Sequence, residues 1–440
     1  MKCEEVRDEM IACLKGEVHG LRKKQIEEHL ARCHGCGREL DVARRMLAQT
    51  QAANEASVVK MVDDMIAEAV RGGASDIHVD PTREGADVRY RIDGVLCPVR
   101  SLSPGERDAV TARIKIMADR PVSETRQPQD GRIPFKVGDK EYDMRLATMP
   151  FLLGEKLVMR ILDRGVPLLG LEKMGFLPEQ LEAVRALVHQ PCGLVISTGP
   201  TGSGKTTLLY SMLMELISPK LNIMTIENPI EYEIRGIQQA QVNEREGLTA
   251  AAALRVFMRQ DPDVIMVGEL HDPESIEIAT YAAMTGHLVL TQLQPPDAAS
   301  VPQRLVSCGV DPWIVGETLT GVIACRLVRN VCAECREEYT PDAEALEFLG
   351  LKDKVGKAKF YRGKGCDACK GTGYRGRTQL HEVLTVDKGL RALIGTGQTD
   401  SDAIFKYAAS KGHISIAEDA RRKVLDGITT AEEVTRVLSW

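Results

Sequence analysis

The stretch "GLVISTGPTGSGKTTLLYSMLMELI", residues 193–217, places a glycine-rich loop between an apolar run and a helix-like segment. Its central part, 199–207, fits G-x-x-x-x-G-K-[ST], the pattern of a phosphate-binding loop. Glycines let backbone N–H groups close around phosphate oxygens, and the N-terminus of the following helix adds positive potential. The stretch therefore predicts a strand, a loop that binds the phosphates of a nucleotide, and a helix.

The residue types in this loop predict individual roles. Lys205 is expected to reach the β- and γ-phosphates, and Thr206 is expected to bind a magnesium ion. The predicted ligands are therefore ATP and Mg²⁺. The other loop residues expected to contact the nucleotide are Gly199, Thr201, Gly202, Ser203, Gly204 and Thr207.

Four short apolar runs, separated by helical stretches, predict the architecture around the loop. They are "GLVISTGP", "LNIMTIENP", "DVIMVGEL" and "GHLVLTQL". This alternation is typical of an α/β fold with a parallel sheet and crossover helices. The third run ends in Gly268-Glu269, which places a carboxylate at the carboxyl edge of the sheet, beside the phosphate loop. Glu269 is therefore a candidate for polarising the attacking water.

Composition excludes several classes of protein. The chain has 440 residues, 43% hydrophobic and 27% charged, with a formal net charge of −6, which is typical of a soluble globular protein. No run approaches the roughly 18 apolar residues of a membrane span, and the acidic start "MKCEEVRDEM" is not a secretory signal. We therefore expect a cytoplasmic protein. The acidic balance and the 4% aromatic content argue against nucleic-acid binding, including DNA transport.

Shifts in pattern along the chain predict six segments. A Cys- and His-rich module is followed by a helical linker, an α+β domain, the phosphate-loop domain, a second Cys-bearing subdomain and a helical C-terminal segment. Their predicted bounds are 1–50, 51–73, 74–165, 166–330, 331–382 and 383–440.

Four of the twelve cysteines form a pair of C-x2-C motifs. Cys332 and Cys335 are separated from Cys366 and Cys369 by the thirty residues 336–365. In a reducing compartment, two such motifs predict a structural four-thiolate zinc site rather than disulfides. Four scattered cysteines are expected to be small buried apolar residues: Cys97, Cys192, Cys308 and Cys325.

A second metal site is predicted at the N-terminus, where His29, Cys33 and Cys36 follow Cys3. On a helix His29 and Cys33 share one face at i, i+4, and Cys3 can complete a tetrahedral site of nitrogen and sulfur ligands. Two other readings stay open. One is a helical hairpin without a metal, and the other is a ligand set that includes Cys13, His19 or His34.

Nine motifs in order extend the phosphate loop into a family pattern over residues 58–440. Read together, they resemble the ATPases of the type II secretion and type IV pilus assembly family. The motifs are "ASDIHVDP", "VRYRIDGVL", "RQPQDGRI", "GPTGSGKTT", "TIENPIEY", "LRVFMRQDPDVIMVGELHDPES", "TGHLVL", "CRLVRNVCAEC" and "GCDACKGTGYRGRTQLHEVL".

The resemblance implies a RecA-like P-loop ATPase domain, preceded by a small α+β, PAS-like domain. It further implies a hexameric ring that hydrolyses ATP to power type II secretion or the assembly of a pilin-like filament. The expected partners are an inner-membrane platform and cytoplasmic docking proteins, so the protein would lie in the cytoplasm, peripherally bound to the inner membrane. The tetracysteine motif favours an assembly or secretion ATPase over a pilus-retraction relative.

The resemblance also implies roles for residues outside the loop. The segment "TIENPIE" keeps Glu227 and Glu231 but has Asn228 where the family usually has an aspartate. We expect Glu227 to help bind the nucleotide and its magnesium, and Glu231 to act with Glu269 as a catalytic carboxylate. Two arginines of the smaller domain are expected to contact the phosphates. These are Arg145 and Arg160.

Besides Asn228, two positions depart from the family pattern. His271 in "GELHD" replaces an arginine, and Gln294 in "TQLQPPDA" replaces the second of two histidines. The first, His287, remains, and its strand is expected to deliver it toward the nucleotide as a catalytic residue. Because a glutamine cannot become cationic, an alternative reading is a nucleotide-binding ring with weak hydrolysis that serves a regulatory or structural role.

The first fifty residues resemble the zinc-finger module of anti-sigma factors, which packs against a partner protein. The usual N-terminal docking domain of the ATPase family is not recognisable in the sequence. We therefore expect the module to act as a substitute adaptor.

Overall fold

The computed structural model describes residues 2–14, 18–163 and 169–439. These residues form two compact units, 1–163 and 164–440. Among the described helices, none has the length and apolar character that crossing a membrane requires.

The first unit begins with three helices, α1 (Cys3–Leu14), α2 (Gly20–Arg32) and α3 (His34–Arg71). The third helix runs from the cysteine-bearing segment to the start of the α+β region. Its last turns have apolar residues at the spacing of a helix face that packs on a core. The buried residues of that face are Val62, Met65, Ile66 and Ala69.

The α+β region predicted from the sequence is a six-stranded antiparallel sheet with one helix, α4 (Pro104–Met117). The strand order is β3-β2-β1-β6-β5-β4. One sheet face packs on α3 and α4 through Ile77, Val79, Val110 and Ile114. The strands are β1 (Ala74–Thr82), β2 (Gly85–Ile92), β3 (Val95–Leu102), β4 (Gln129–Val137), β5 (Lys140–Phe151) and β6 (Gly154–Asp163).

The second unit is built around a seven-stranded sheet of order β15-β12-β7-β11-β10-β8-β9. All neighbouring strands are parallel except β12 and β15, which confirms the predicted α/β class with a parallel sheet. The strands are β7 (Gly193–Thr198), β8 (Ile223–Glu227), β9 (Gln238–Gln241), β10 (Val264–Val267), β11 (Leu288–Leu293), β12 (Leu319–Val331) and β15 (Tyr374–Thr385).

Helices cover both faces of this sheet, which explains why its central strands are continuous apolar runs. Two clusters of buried side chains, one on each face, form the core. The helices that accompany the parallel strands are α5 (Pro178–Val188), α6 (Lys205–Leu216), α7 (Ala250–Phe257), α8 (Pro273–Met284), α9 (Val301–Ser307) and α10 (Pro312–Thr318).

The segment between β12 and β15 carries the tetracysteine motif and a short hairpin. Its elements are β13 (Arg336–Tyr339), α11 (Ala343–Phe348) and β14 (Phe360–Gly363). Because β15 belongs to the main sheet, the predicted subdomain boundary at residue 382 falls inside a strand. The chain continues through α12 (Lys388–Gly395), α13 (Ser401–Ser410), α14 (Ile416–Leu425) and α15 (Ala431–Leu438).

Candidate nucleotide site and metal centres

The phosphate loop joins β7 to α6, as the sequence predicts. Three of its glycines have positive φ: Gly199 at 138°, Gly202 at 77° and Gly204 at 91°. These values favour glycine because an L side chain is strained there. At Gly204 a Cβ would also lie 2.0 Å from Nε2 of Gln379. The tight loop and the close approach of its backbone to the sheet therefore both require glycine at this position.

Lys205, the first residue of α6, is buried against the loop. Its Nζ donates to the carbonyl oxygens of Gly199, at 2.8 Å, and Pro200, at 3.0 Å. Burial lowers the pKa of Lys205. Thr206 and Thr207 follow in the first helical turn and are half-buried. The lysine ammonium thus lies at the loop, where the motif predicts phosphate contact.

Glu269 lies at the same carboxyl edge of the sheet as the loop. In the parallel register Leu293 pairs with Thr198, so the segments that follow β11 and β7 leave the sheet side by side. Oε1 of Glu269 accepts a hydrogen bond of 2.8 Å from Nε2 of Gln294. Its Oε2 lies 3.4 Å from Nε2 of His271. Gln294 and His271, which both differ from the family pattern, therefore contact the same carboxylate.

Glu227 and Glu231 have different environments. Glu227 ends β8 and is buried, and it accepts hydrogen bonds from the Tyr210 hydroxyl, Thr225 Oγ1 and Gln239 Nε2. Burial, together with this bond to Glu227, raises the pKa of Tyr210. Glu231 is exposed, and its backbone N–H donates to the same hydroxyl at 3.2 Å. Both oxygens of Glu227 are thus already hydrogen-bonded within the fold, and Glu231 is exposed to solvent.

The prediction that β11 delivers His287 toward the nucleotide is wrong. His287 immediately precedes the strand, and its carbonyl accepts from the N–H of Gly193, the first residue of β7. The phosphate loop follows the opposite end of β7. A strand of six residues separates the two edges by about 18 Å. His287 Nδ1 lies 2.9 Å from the carbonyl oxygen of Ala282, and the strand places Gln294 at the phosphate edge instead.

The two prolines that follow β11 contact the neighbouring strands β7 and β12 through their carbonyl groups. The Pro295 oxygen accepts from Thr198 Oγ1 at 2.6 Å, and the Pro296 oxygen accepts from Arg326 Nη2 at 2.5 Å. The pKa of Arg326 is lowered by burial. A Cβ on Gly199 would lie 2.9 Å from Arg326 Nη1. Sequence reasoning missed this guanidinium because β12 reaches the loop only through the order of the strands.

Arg145 and Arg160 lie in one cross-strand row of the first unit, with Arg132 as a third member. Arg145 pairs with Arg160 on β6 and with Arg132 on β4. The outer two have carboxylate partners, Asp76 for Arg160 at 3.0 Å and Asp143 for Arg132 at 2.5 Å. Among the described residues, no carboxylate pairs with the exposed Arg145. Like charges directly opposite one another repel, so this row favours an anion.

The tetracysteine set comes together in three dimensions. The Sγ atoms of Cys332 and Cys366 are 3.9 Å apart, and those of Cys335 and Cys369 are 3.8 Å apart. A tetrahedral zinc site with Zn–S bonds of about 2.3 Å needs sulfur separations of about 3.8 Å. Although burial alone raises it, backbone N–H donors lower the pKa of Cys369 to about 6. The donor set and its spacing therefore fit zinc.

The N-terminal set also comes together, with all four ligand atoms of Cys3, His29, Cys33 and Cys36 within 4.8 Å of one another. Cys3 Sγ lies 3.6 Å from His29 Nε2 and 3.8 Å from Cys33 Sγ. Hydrogen bonding from the Cys36 backbone lowers the pKa of Cys33 to about 6. Within the described part of the chain, neither Cys13 nor His19 joins this group. The His34 side chain lies outside the described residues.

One expectation for the scattered cysteines is wrong. Of these four cysteines, only Cys325 is fully buried, and its Sγ lies 3.6 Å from both Thr198 O and Ser203 Oγ. Cys97, Cys192 and Cys308 are half-buried. Of these three, Cys308 packs against the core of the second unit.

Comparison with known proteins gives the family of the chain. Residues 51–436 match the model of the family described as "Type II/IV secretion system protein". The type IV pilus assembly ATPase PilB of Thermus thermophilus is 45% identical over 382 residues, which cover 87% of this chain and 43% of that protein. The type II secretion system ATPase E of Vibrio cholerae is 42% identical over 387 residues, or 88% of this chain and 76% of that protein. This chain therefore spans less than half of the Thermus protein.

A solved structure, the pilus retraction motor PilT with bound ADP, is similar in fold. Its TM-score is 0.57 at 25% sequence identity, and the match covers 85% of this chain and 96% of that one.

Proposed function

The chain belongs to the type II/IV secretion system protein family, and we propose that it is an ATP-hydrolysing motor that powers type II secretion or the assembly of a type IV pilus. The observation that carries the proposal is the joint position of Lys205 and Glu269. Both lie at the carboxyl edge of one parallel sheet, where nucleotides bind in such folds.

In the proposed reaction the chain's residues hold ATP and position water. The backbone N–H groups of the loop and the Lys205 ammonium bind the phosphates, and the Thr206 hydroxyl would hold Mg²⁺, which neutralises phosphate charge when bound. Glu269, assisted by Glu231, accepts a hydrogen bond from the attacking water and acts as the general base that accepts its proton. Glu227 fixes the end of β8 beside them through its three hydrogen bonds.

The ring and its setting are part of the same proposal. A hexamer brings Arg145 and Arg160 to bound phosphates, where a guanidinium stabilises the charge of the transition state. Zn²⁺ in the tetracysteine site, held by Cys332, Cys335, Cys366 and Cys369, would stabilise that segment. We expect the ring to lie in the cytoplasm at the inner membrane, where it would bind a membrane platform protein and cytoplasmic docking proteins.

Steady-state ATP hydrolysis by the purified full-length oligomer tests the proposed activity. Wild-type protein should hydrolyse ATP, and Glu269→Gln should lower kcat by about 100-fold or more while it still binds ATP. Equal turnover of the two proteins would overturn the role of Glu269. The alternative, a ring with weak hydrolysis, is not favoured, because both relatives described above are named as ATPases.

The N-terminal module is proposed to bind a partner protein, as its resemblance to a zinc finger implies. The supporting observation is the ligand set of Cys3, His29, Cys33 and Cys36. A pull-down with a variant that lacks residues 1–50 tests the adaptor role. Retention of every partner by that variant would argue against it.

A further inference from the structure

A buried amide lies directly behind the phosphate loop. Gln379, on β15, is only 4% exposed. Its Nε2 donates two hydrogen bonds, to the carbonyl oxygen of Ser203 at 3.1 Å and to that of Gly204 at 3.0 Å. Each of these carbonyls shares a peptide group with the N–H of the next residue, Gly204 or Lys205. One side chain of the edge strand β15 therefore contacts two consecutive peptide groups of the loop.

We propose that Gln379 is a positioning residue for the phosphate loop, which holds these two peptide groups so that their N–H bonds face the nucleotide phosphates. In a trans peptide the C=O and N–H bonds point in opposite directions. Gln379 holds the Ser203 oxygen, and it shares the Gly204 oxygen with the Leu208 N–H, which lies 3.0 Å from it. Fixing these two oxygens therefore turns the N–H groups of Gly204 and Lys205 to the other side. Convergent backbone N–H groups are what bind phosphate in such a loop. The inference rests on the proposed nucleotide site.

The orientation of the Gln379 amide is fixed by its second partner, His381. Gln379 Oε1 lies 2.9 Å from Nε2 of His381. Since the amide nitrogen donates both its protons to the loop, Oε1 must accept, and His381 must carry its proton on Nε2. A flipped amide would place its oxygen against two carbonyl oxygens and its nitrogen against an N–H group.

His381 is itself held in one state. It is fully buried, its ring stacks on Phe176 at 3.7 Å between centroids, and burial holds its pKa well below the ordinary value. Nδ1 of this ring has no hydrogen-bond partner among the described residues. An uncharged ring with its proton on Nε2 satisfies both observations. In this state the Nε2–H of His381 donates to Gln379 Oε1.

The strand that carries Gln379 is anchored independently of the loop. Lys423 Nζ, on α14, donates to the Gln379 carbonyl oxygen at 2.7 Å and to Asp419 Oδ2 at 2.6 Å. The same Asp419 oxygen accepts from the His381 N–H at 2.7 Å, and Gln180 Nε2 donates to the His381 carbonyl at 3.0 Å. Helix α14 thus fixes the backbone of β15 at Gln379, and the Gln379 side chain in turn orients the peptide groups of the phosphate loop.

Nucleotide binding by matched variants of the full-length protein tests this role. Gln379→Leu removes both donors at similar volume. Gln129→Leu is the matched control: it removes a buried amide of β4 that also donates to two backbone carbonyl oxygens, those of Pro121 and Glu124, but does not touch the loop. Calorimetric titration with Mg-ADP should give a Kd raised about tenfold or more for Gln379→Leu, the equivalent of two neutral hydrogen bonds, and changed less than about twofold for Gln129→Leu.

Steady-state kinetics should separate positioning from general damage. Because the loop N–H groups bind the phosphates before and during the reaction, Gln379→Leu should raise the KM for ATP by a similar factor and change kcat less. If Gln379→Leu does not fold, Gln379→Met, which packs more adaptably, replaces it. Equal loss of binding in the Gln379 and Gln129 variants would show a merely structural role and overturn the inference.

A third variant, Lys205→Ala, distinguishes this inference from the proposed function. If Lys205→Ala abolishes Mg-ADP binding while Gln379→Leu binds within about twofold of wild type, the nucleotide site stands and the positioning role is overturned. If Lys205→Ala binds Mg-ADP as wild type does, the nucleotide site itself is overturned, and this inference with it.

Discussion

The side-chain amide of Gln294 donates a hydrogen bond of 2.8 Å to Oε1 of Glu269. The other oxygen of this carboxylate, Oε2, lies 3.4 Å from Nε2 of His271. The amide keeps Glu269 oriented without adding charge, because it cannot be protonated in the working range of pH. Gln294 and His271, two residues that differ from the family pattern, thus both contact the proposed catalytic carboxylate, Glu269. Substitutions of these two residues should therefore change kcat more than nucleotide affinity.

Replacing Gln294 tests this contact. Gln294→Leu should lower kcat about tenfold, since Glu269 loses a hydrogen bond worth about 1 kcal/mol or more to a charged group, and the Kd for Mg-ADP should stay near wild type. Gln294→His should raise kcat, because an imidazole can make the same bond and also carry positive charge. Gln303→His, on an exposed position of α9, is the control. Unchanged turnover in Gln294→His would show that a histidine is dispensable at this position.

Arg145→Ala should cut hydrolysis sharply. A guanidinium that stabilises phosphoryl transfer contributes about 1,000-fold or more, and the exposed Arg145 has no acidic partner in the described chain whose loss would destabilise the fold. The variant should keep the circular dichroism spectrum and melting temperature of wild type. Arg100→Ala, on β3 and paired with Glu68, should retain full turnover. Wild-type rates for Arg145→Ala would remove this arginine from the proposed mechanism.

Sequence patterns were sufficient to predict those sites whose residues lie close together along the chain. The phosphate loop, the strands beside it and both C-x2-C motifs were predictable because their spacing sets their geometry. The placement of His287 was predicted wrongly, since a histidine before a parallel strand lies at the amino edge, away from the loop. Gln379 and Arg326 were not predictable at all. They reach the loop only because β12 and β15 extend the sheet past β7, and strand order is a tertiary property.

The tetracysteine site should bind one equivalent of zinc per chain. Cys366→Ser removes a ligand and should lower the zinc content of the protein, measured by atomic emission spectroscopy, by about one equivalent. Cys308→Ser, at a half-buried cysteine outside either cluster, should leave the content unchanged. Since structural zinc contributes directly to folding, proteolysis between β12 and β15 should become faster in Cys366→Ser. Equal zinc content in the two variants would contradict the site.

The N-terminal cluster should bind a second equivalent independently. Cys33→Ser should remove one equivalent and leave the tetracysteine equivalent in place, because the two clusters share no residue. The Cys33→Ser, Cys366→Ser double variant should retain none. Cys13→Ser is the matched control, since Cys13 lies on α1 outside the ligand group. Loss of metal in Cys13→Ser, with retention in Cys33→Ser, would favour the alternative ligand set.

Glu433 clamps the C-terminal helix α15 to β12. It is buried and accepts from Arg329 Nη2 and Arg436 Nη2, each at 2.6 Å. Burial alone would raise its pKa, but the hydrogen bonds from Arg436 and Arg329 lower the pKa of Glu433 below its ordinary value of 4.5. The folded state therefore favours the charged form. This contribution to stability is complete above the ordinary pKa and is lost as the pH falls through the folded-state pKa.

Glu433→Gln should consequently destabilise the fold in a pH-dependent way. At pH 7 the loss of the Glu433 charge removes its ionic attraction to Arg329 and Arg436 and should lower the free energy of unfolding by about 3 kcal/mol. As the pH is lowered from 4.5 through the depressed pKa of folded Glu433, the wild-type carboxylate becomes protonated and the difference between the proteins should shrink. Urea midpoints at several pH values measure this difference. Glu347→Gln, at an exposed ion pair with Lys352, should change little at any pH. A Glu433→Gln deficit that stays constant into acid would show that packing, rather than charge, holds α15 on β12.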